Sequence, residues 1–358
     1  MNDAETARLR AIAQQQKVAQ LREPAACPDG TRSVKTIETH MSWVFLTDRH
    51  AWKLKKPVRA PMLDFRSVAA RERFCRDEVR LNRRLAADVY LDAVPLAIDP
   101  DGRVRPDGEG ETVDWLVKMK RLPDERMLDR ALLHGTATRE DAGRIAARLS
   151  TFYRSLAPAR TGAAPYRDGL RGTIDCNERA LCKPMFDLPA DTVRAICALQ
   201  RALLDREAAR FDARVRHGHI VEGHGDLRPE HVCIDAPIAI IDCLEFSERL
   251  RTQDTADEIG FLALECERLG APDFACALLD AYRADSGDDV DAALVDFYQS
   301  CRAMTRARLA AWHLREKAFQ ATPAWRDRAR AYISLANRHI GCCERGWTAT
   351  RFNAAAGP

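Results

Sequence analysis

Long apolar runs are missing: no stretch of the 358 residues reaches the length of a membrane span. An excess of charge is missing too. Lys and Arg total 56 against 53 Asp and Glu, and a balance of +3 predicts neither a nucleic-acid nor a membrane partner. No internal repeat, low-complexity tract or Gly/Ser-rich linker interrupts the chain, so its parts read as lobes of one unit. Cysteine is plentiful, at twelve, but the paired short spacings of a zinc site are lacking, for neither Cys176/Cys182 nor adjacent Cys342-Cys343 supplies them. A secreted disulfide framework would favour a smaller chain. Six cysteines (75, 197, 233, 243, 266 and 301) fall inside apolar helical or strand patterns, where a thiol behaves as a small hydrophobe. The opening Met1-Asn2-Asp3-Ala4-Glu5 carries early acids and no apolar run behind them, so the expected location is the cytoplasm.

What is present is a change of period along the chain. Residues 3–22 read as a polar helix with a thin stripe of Leu9, Ile12, Ala13 and Gln16, ended by Pro24 and Pro28-Asp29-Gly30, and 1–33 is expected to be an appendage. Alternation then predicts strands at 34–37, 43–46 and 50–55, an amphipathic helix at 67–87, and strands at 93–98 and 112–119 joined through the turn Asp99-Pro100-Asp101-Gly102. From Leu122 helices dominate, at 138–157, 190–211, 254–269, 272–284, 289–318 and 324–344, interrupted by a β pair at 232–234 and 238–241. The expected fold class is α+β. A small antiparallel β-rich lobe with one helix spans 34–121, a larger helical lobe carrying a β-hairpin spans 122–345, and 346–358 form a tail.

Two acids stand out in His224-Gly225-Asp226-Leu227-Arg228-Pro229-Glu230-His231 and the following Ile240-Ile241-Asp242. Phosphoryl transfer uses such a pair, one carboxylate to orient or deprotonate the attacking hydroxyl and another to hold the Mg²⁺ that bridges nucleotide phosphates. Singly, each acid reads as well as a turn or cap residue. Jointly, His-Gly-Asp, a polar residue five positions on and a strand-terminal Asp follow the order of a kinase catalytic loop.

That segment resembles the aminoglycoside phosphotransferase family of small-molecule kinases, whose fold is protein-kinase-like and bilobal. More narrowly, residues 38–47, Trp52-Lys53-Leu54-Lys55-Lys56-Pro57, residues 80–85 and Asp242-Cys-Leu-Glu245-Phe246 resemble the phosphotransferase-like half of bifunctional bacterial proteins whose other half is a P-loop ATPase. This chain contains no Gly-x-x-x-x-Gly-Lys-Ser/Thr segment, so the resemblance implies action through the phosphotransferase-like site or with a separate P-loop ATPase chain.

The resemblance further implies ATP or GTP with Mg²⁺, a small-molecule acceptor, and a division of roles. Asp226 would be the catalytic base or orienting group, flanked by His224 and Arg228. Lys53 would contact nucleotide phosphates and Glu78 would hold it, with Lys55 a rival on the same strand face. Met119 would line the adenine pocket and Ser42 a phosphate turn. Asp242 would ligate the metal, with His231 and Glu245 as further candidates, although a surface turn is the favoured reading of Glu245. An Asp near Asp257 would fasten the catalytic loop.

Two departures accompany these expectations. His231 stands where kinases place Asn, and imidazole suits Zn, Mn or Fe better than Mg. No glycine-rich loop precedes Lys53; Glu38-Thr39-His40-Met41-Ser42 occupies that place. A catalytically silent, partner-binding scaffold is therefore the alternative, and a metal hydrolase built on His217, His219, His224 and His231 is a third reading.

Overall fold

The computed structural model describes residues 14–28, 30–60, 63–315 and 323–355. Two compact units divide the chain, one drawn from residues up to Arg130 together with Glu230–Leu250, the other from Ala131–Pro229 and from Arg251 onward. The fold is α+β, with an antiparallel sheet in the first unit and a helical second unit.

In the first unit, β1 (Lys35–Glu38), β2 (Ser42–Leu46), β3 (His50–Lys55), β4 (Tyr90–Ile98), β5 (Val104–Pro106) and β6 (Glu111–Lys120) form an antiparallel sheet in the order β1-β2-β3-β6-β4-β5. The short β5 adds a strand to the five expected. Register pairs Val44 with Lys53 and Ser42 with Lys55, so strand alternation sets both lysines on one face of β3. Against that face packs the helix Val68–Ala86, begun by the Ser67 hydroxyl accepting the Ala70 N–H at 3.1 Å. Its buried side combines Phe74, Cys75, Val79, Leu81 and Leu85 with three polar residues, Arg71, Glu78 and Asn82.

Two expectations need correction here. The helix Gln14–Leu21 is integral to the first unit: Val18 and Leu21 enter the core with Phe45, Trp52, Leu96 and Leu116. Its Lys17 Nζ lies buried, 2.8 Å from Asp114, whose carboxylate also takes Arg71 Nε at 2.6 Å. Leu9, Ile12 and Ala13 of the expected stripe lie outside the described residues. The hairpin of Val232–Cys233 and Ala239–Ile240, assigned from sequence to the helical lobe, packs in the first unit, because Cys233 and Ala239 bury against Ala51, Val79, Tyr90, Val117 and Met119.

The second unit contains the helices Arg139–Ser155, Ala163–Leu181, Ala190–Arg206, Ala208–Arg216, Thr255–Arg268, Pro272–Ser286, Ala292–His313 and Ala324–Ala355. Its core joins Phe211, Phe297, Tyr298 and Trp347 to aliphatic residues of these helices. The helix Ala163–Leu181 escaped the periodicity reading because it buries only Ile174, Asn177 and Leu181 and carries Pro165, Gly169 and Gly172. The segment read as one helix over 190–211 breaks at Glu207, and the last helix runs on into the expected tail as far as Ala355, anchored by fully buried Trp347. A further strand pair, Ile220–Glu222 with Thr252–Asp254, flanks the segment that holds His224 and Asp226 in sequence. The six cysteines expected in cores are buried, and none of the twelve is in a disulfide. Among the described residues no helix is long and apolar enough to cross a membrane.

Candidate active site

In the first unit Lys53, Lys55 and Glu78 meet as one cluster. Glu78 is fully buried and divides its carboxylate, Oε1 accepting from Lys53 Nζ at 2.9 Å and Oε2 from Lys55 Nζ at 2.5 Å. Each lysine then reaches a second acid, Lys53 to Asp242 Oδ1 at 2.6 Å and Lys55 to Glu245 Oε1 at 2.5 Å. Burial disfavours the ammonium of Lys53, but Asp242 and Glu78 outweigh it and hold its pKa well above the ordinary range. The same contest keeps Lys55 charged through Glu245 and Glu78, while burial raises and the two lysines lower the Glu78 pKa, with a net downward shift.

The two lysines differ in access. Lys55 has no exposed side-chain surface, whereas Lys53 keeps 14% and Asp242 44%. Glu245, open to a surface-turn reading from sequence, is instead tucked in, with 9% of its side chain exposed, because the buried Lys55 ammonium requires a second anion.

Asp242 adopts a left-handed backbone, φ 62°. Its N–H donates to the Tyr90 hydroxyl at 3.0 Å, and the Cys243 N–H donates to Asn82 Oδ1 at 2.9 Å. Asn82 lies one helical turn beyond Glu78, so one helix face orders both the lysines and the Asp242 backbone. Neither Tyr90 nor Asn82 was singled out from sequence. The i, i+4 spacing of two polar residues on an apolar stripe was the available signal. His231 is buried, with Nε2 3.4 Å from Asp242 Oδ2.

Met119 packs in the core beside Ala51 and Val117, and Ser42 is buried. The turn before Ser42 closes without glycine: the Thr39 hydroxyl accepts the N–H groups of Met41 at 3.3 Å and Ser42 at 3.0 Å, which commits both amides within the turn.

In the second unit the backbone of the 224–226 loop is gripped by Glu258. Its carboxylate accepts the His224 N–H at 2.8 Å and the Gly225 N–H at 2.6 Å, and takes further bonds from Tyr153 Oη at 2.9 Å and from Gln253 Nε2. The fastening residue is thus Glu258 and not Asp257, which pairs instead with Arg302 Nε at 2.7 Å. Helical spacing explains the difference, since neighbouring residues point about 100° apart and only one can face the loop. Gly225 holds φ 90°, and the side chain of Asp226 accepts from Arg228 Nε at 3.0 Å. His224 is fully buried, its Nδ1 accepting the Asp226 N–H at 3.3 Å. His219 lies 3.5 Å from Asp288 and its pKa is lowered by burial and by Arg214. These engagements point His219 and His224 at different partners. Among the described residues no three His, Cys, Asp or Glu side chains are arranged to hold a metal ion.

A choline/ethanolamine kinase family protein from Mesorhizobium loti superimposes with a TM-score of 0.54 at 18% identity, covering 91% of this chain and 99% of that one. Plasmodium vivax ethanolamine kinase superimposes at 0.50 with 11% identity, covering 86% and 82%. The fold is that of the kinase-like phosphotransferases. No family model matches the sequence. By sequence the chain is similar to the uncharacterized protein Rv2004c of Mycobacterium tuberculosis, 33% identical over 281 residues, and equally to Mb2027c of Mycobacterium bovis. These matches cover 76% of this chain and 53% of the relatives, so the chain spans about half the length of the curated relatives it matches.

Proposed function

We propose that this kinase-like chain transfers a phosphoryl group from ATP or GTP to a hydroxyl of a small molecule. One observation carries the reading: the Lys53 ammonium is held between buried Glu78 and partly exposed Asp242, the charge arrangement a phosphate clamp requires. Lys53 offsets phosphate charge, and Asp226, oriented by Arg228 on a loop pinned through Glu258, takes the hydroxyl proton as the new O–P bond forms and the bond to the leaving nucleotide breaks. Mg²⁺ usually binds through one or two carboxylates plus waters and substrate phosphates, so a single accessible Asp242 carboxylate with no protein cage fits it. Held by Asp242, the ion would neutralise and bridge phosphate oxygens.

The test is an ATP- and GTP-consumption screen over a broad panel of hydroxyl metabolites, paired with nucleotide binding in the presence of Mg²⁺ or Mn²⁺. Turnover that falls roughly 10²–10⁴-fold in Asp226→Ala is expected. Absence of nucleotide binding at millimolar concentration with either metal would overturn the reading.

The closed Thr39 turn favours a second reading, a catalytically silent kinase-like scaffold for a partner such as a separate P-loop ATPase chain. Equal complementation of a deletion phenotype by wild type and Asp226→Ala would select it. Both readings expect a cytoplasmic protein.

A further inference from the structure

The charges of the first unit form a ring. From Asp242 it runs through Lys53, Glu78 and Lys55 to Glu245, alternating in sign with contacts of 2.6, 2.9, 2.5 and 2.5 Å, and the chain closes it through Cys243 and Leu244. Three carboxylates and two ammonium groups leave it one negative charge. Burial is uneven around it: Lys55 and Glu78 expose no side-chain surface, while Lys53 and Asp242 both do. Lys55 is further enclosed by the Phe65 ring, 5.2 Å from its ammonium.

This asymmetry separates the work of two lysines that sequence alternation makes equivalent. If Lys53 leaves Glu78 for an incoming phosphate, Lys55 still neutralises Glu78. If Lys55 is removed, two buried carboxylates share one cation, and Glu245 has lost its tether. Resting on the phosphotransferase reading for its chemistry, we propose that Lys55 and Glu245 are positioning residues that hold Asp242 at the angle needed for a divalent cation, while Lys53 is the exchangeable lysine that moves onto phosphate. Groups that orient a metal ligand through a second layer of contacts govern metal affinity more than affinity for the remaining ligand.

Lys55→Met would leave buried Glu78 with Lys53 as its ammonium, so Lys53 could not leave it for phosphate without stranding the carboxylate; the informative protein is therefore Glu245→Gln, which cuts the tether and keeps Lys55 on Glu78. Two measurements on the full chain are compared with wild type and with Lys53→Met. The first is hydrogen exchange of the peptide covering residues 242–246 without ligand; Glu245→Gln should exchange roughly tenfold faster and Lys53→Met much less. The second separates ATP affinity without metal from the Mn²⁺ concentration that half-saturates the ATP complex. In Glu245→Gln metal-free ATP affinity should stay within about twofold, while the Mn²⁺ midpoint rises roughly 10–100-fold. Lys53→Met should weaken ATP binding in both conditions. Unchanged exchange at 242–246, or equal losses in the two affinities, would overturn the proposal. Faster exchange in a protein whose wild type binds no nucleotide would sustain the positioning role and defeat the phosphotransferase reading, so the two fail separately.

Discussion

Glu258 and Gly223 approach so closely that a β-carbon on Gly223 would sit 2.5 Å from Glu258 Oε2. The same carboxylate holds the backbone of His224 and Gly225, so the glycine is the room that lets the acid reach the 224–226 loop.

Gly223→Ala should therefore destabilise by roughly 1–3 kcal/mol, as overpacking does. Gly169→Ala, in a helix where a new β-carbon meets nothing within 4 Å, should stabilise by about 0.5–1 kcal/mol. Chemical denaturation of the two variants checks the pair, and equal effects would refute the close-contact account.

Glu258→Ala strips the acceptor from two buried amides, each costing about 1–3 kcal/mol when left unsatisfied. Under the phosphotransferase reading, Glu258→Ala should also lower turnover far more than it changes nucleotide affinity, since Lys53 and Asp242 lie in the other unit. Steady-state kinetics beside nucleotide titration measures the split. Loss of nucleotide affinity alone would contradict a loop-positioning role.

The buried carboxylate of Asp114 serves both Lys17 and Arg71. Asp114→Ala leaves two buried cations without their anion and should cost about 3–5 kcal/mol. Lys17→Met, which leaves Arg71 to pair with Asp114, should cost clearly less. Urea midpoints of the two variants rank them, and the reverse order would show that Lys17 on the helix Gln14–Leu21 matters more to the unit's stability than the shared anion does.

His339 bridges Asp296 at 2.7 Å and Glu267 at 2.8 Å. Burial opposes its charged form, yet the two carboxylates outweigh it and raise its pKa. A raised folded-state pKa adds stability that is fully present below the unfolded value of about 6.5 and is lost as pH climbs through the folded value. The Tm difference between wild type and His339→Gln should thus be widest near pH 5 to 6 and narrow toward pH 9. A pH-independent difference would assign the effect to packing.

The parts legible in the sequence were those governed by short-range pattern. Alternation in His50–Lys55 put both lysines on one face, and the apolar spacing of 67–87 anticipated the helix that carries Glu78. Three kinds of feature were not legible. The buried Lys17–Asp114 pair joins residues 97 positions apart, and no local period announces such a contact. The hairpin at 232–240 is helix-flanked in sequence but packs against the sheet, which only the three-dimensional match of its apolar side chains decides. Asp257 and Glu258 are adjacent acids in one helical turn, and the choice between them depends on which azimuth faces the loop.

The left-handed backbone of Asp242 has a practical corollary for anyone wishing to erase its carboxylate. Alanine there would combine loss of the acid with a conformational penalty, because an unadorned β-carbon disfavours positive φ. Glycine removes the acid and eases the backbone, and asparagine keeps the shape and tolerates the angle. A deficit shared by glycine and asparagine would belong to the missing charge, while a deficit peculiar to alanine would report a displaced turn.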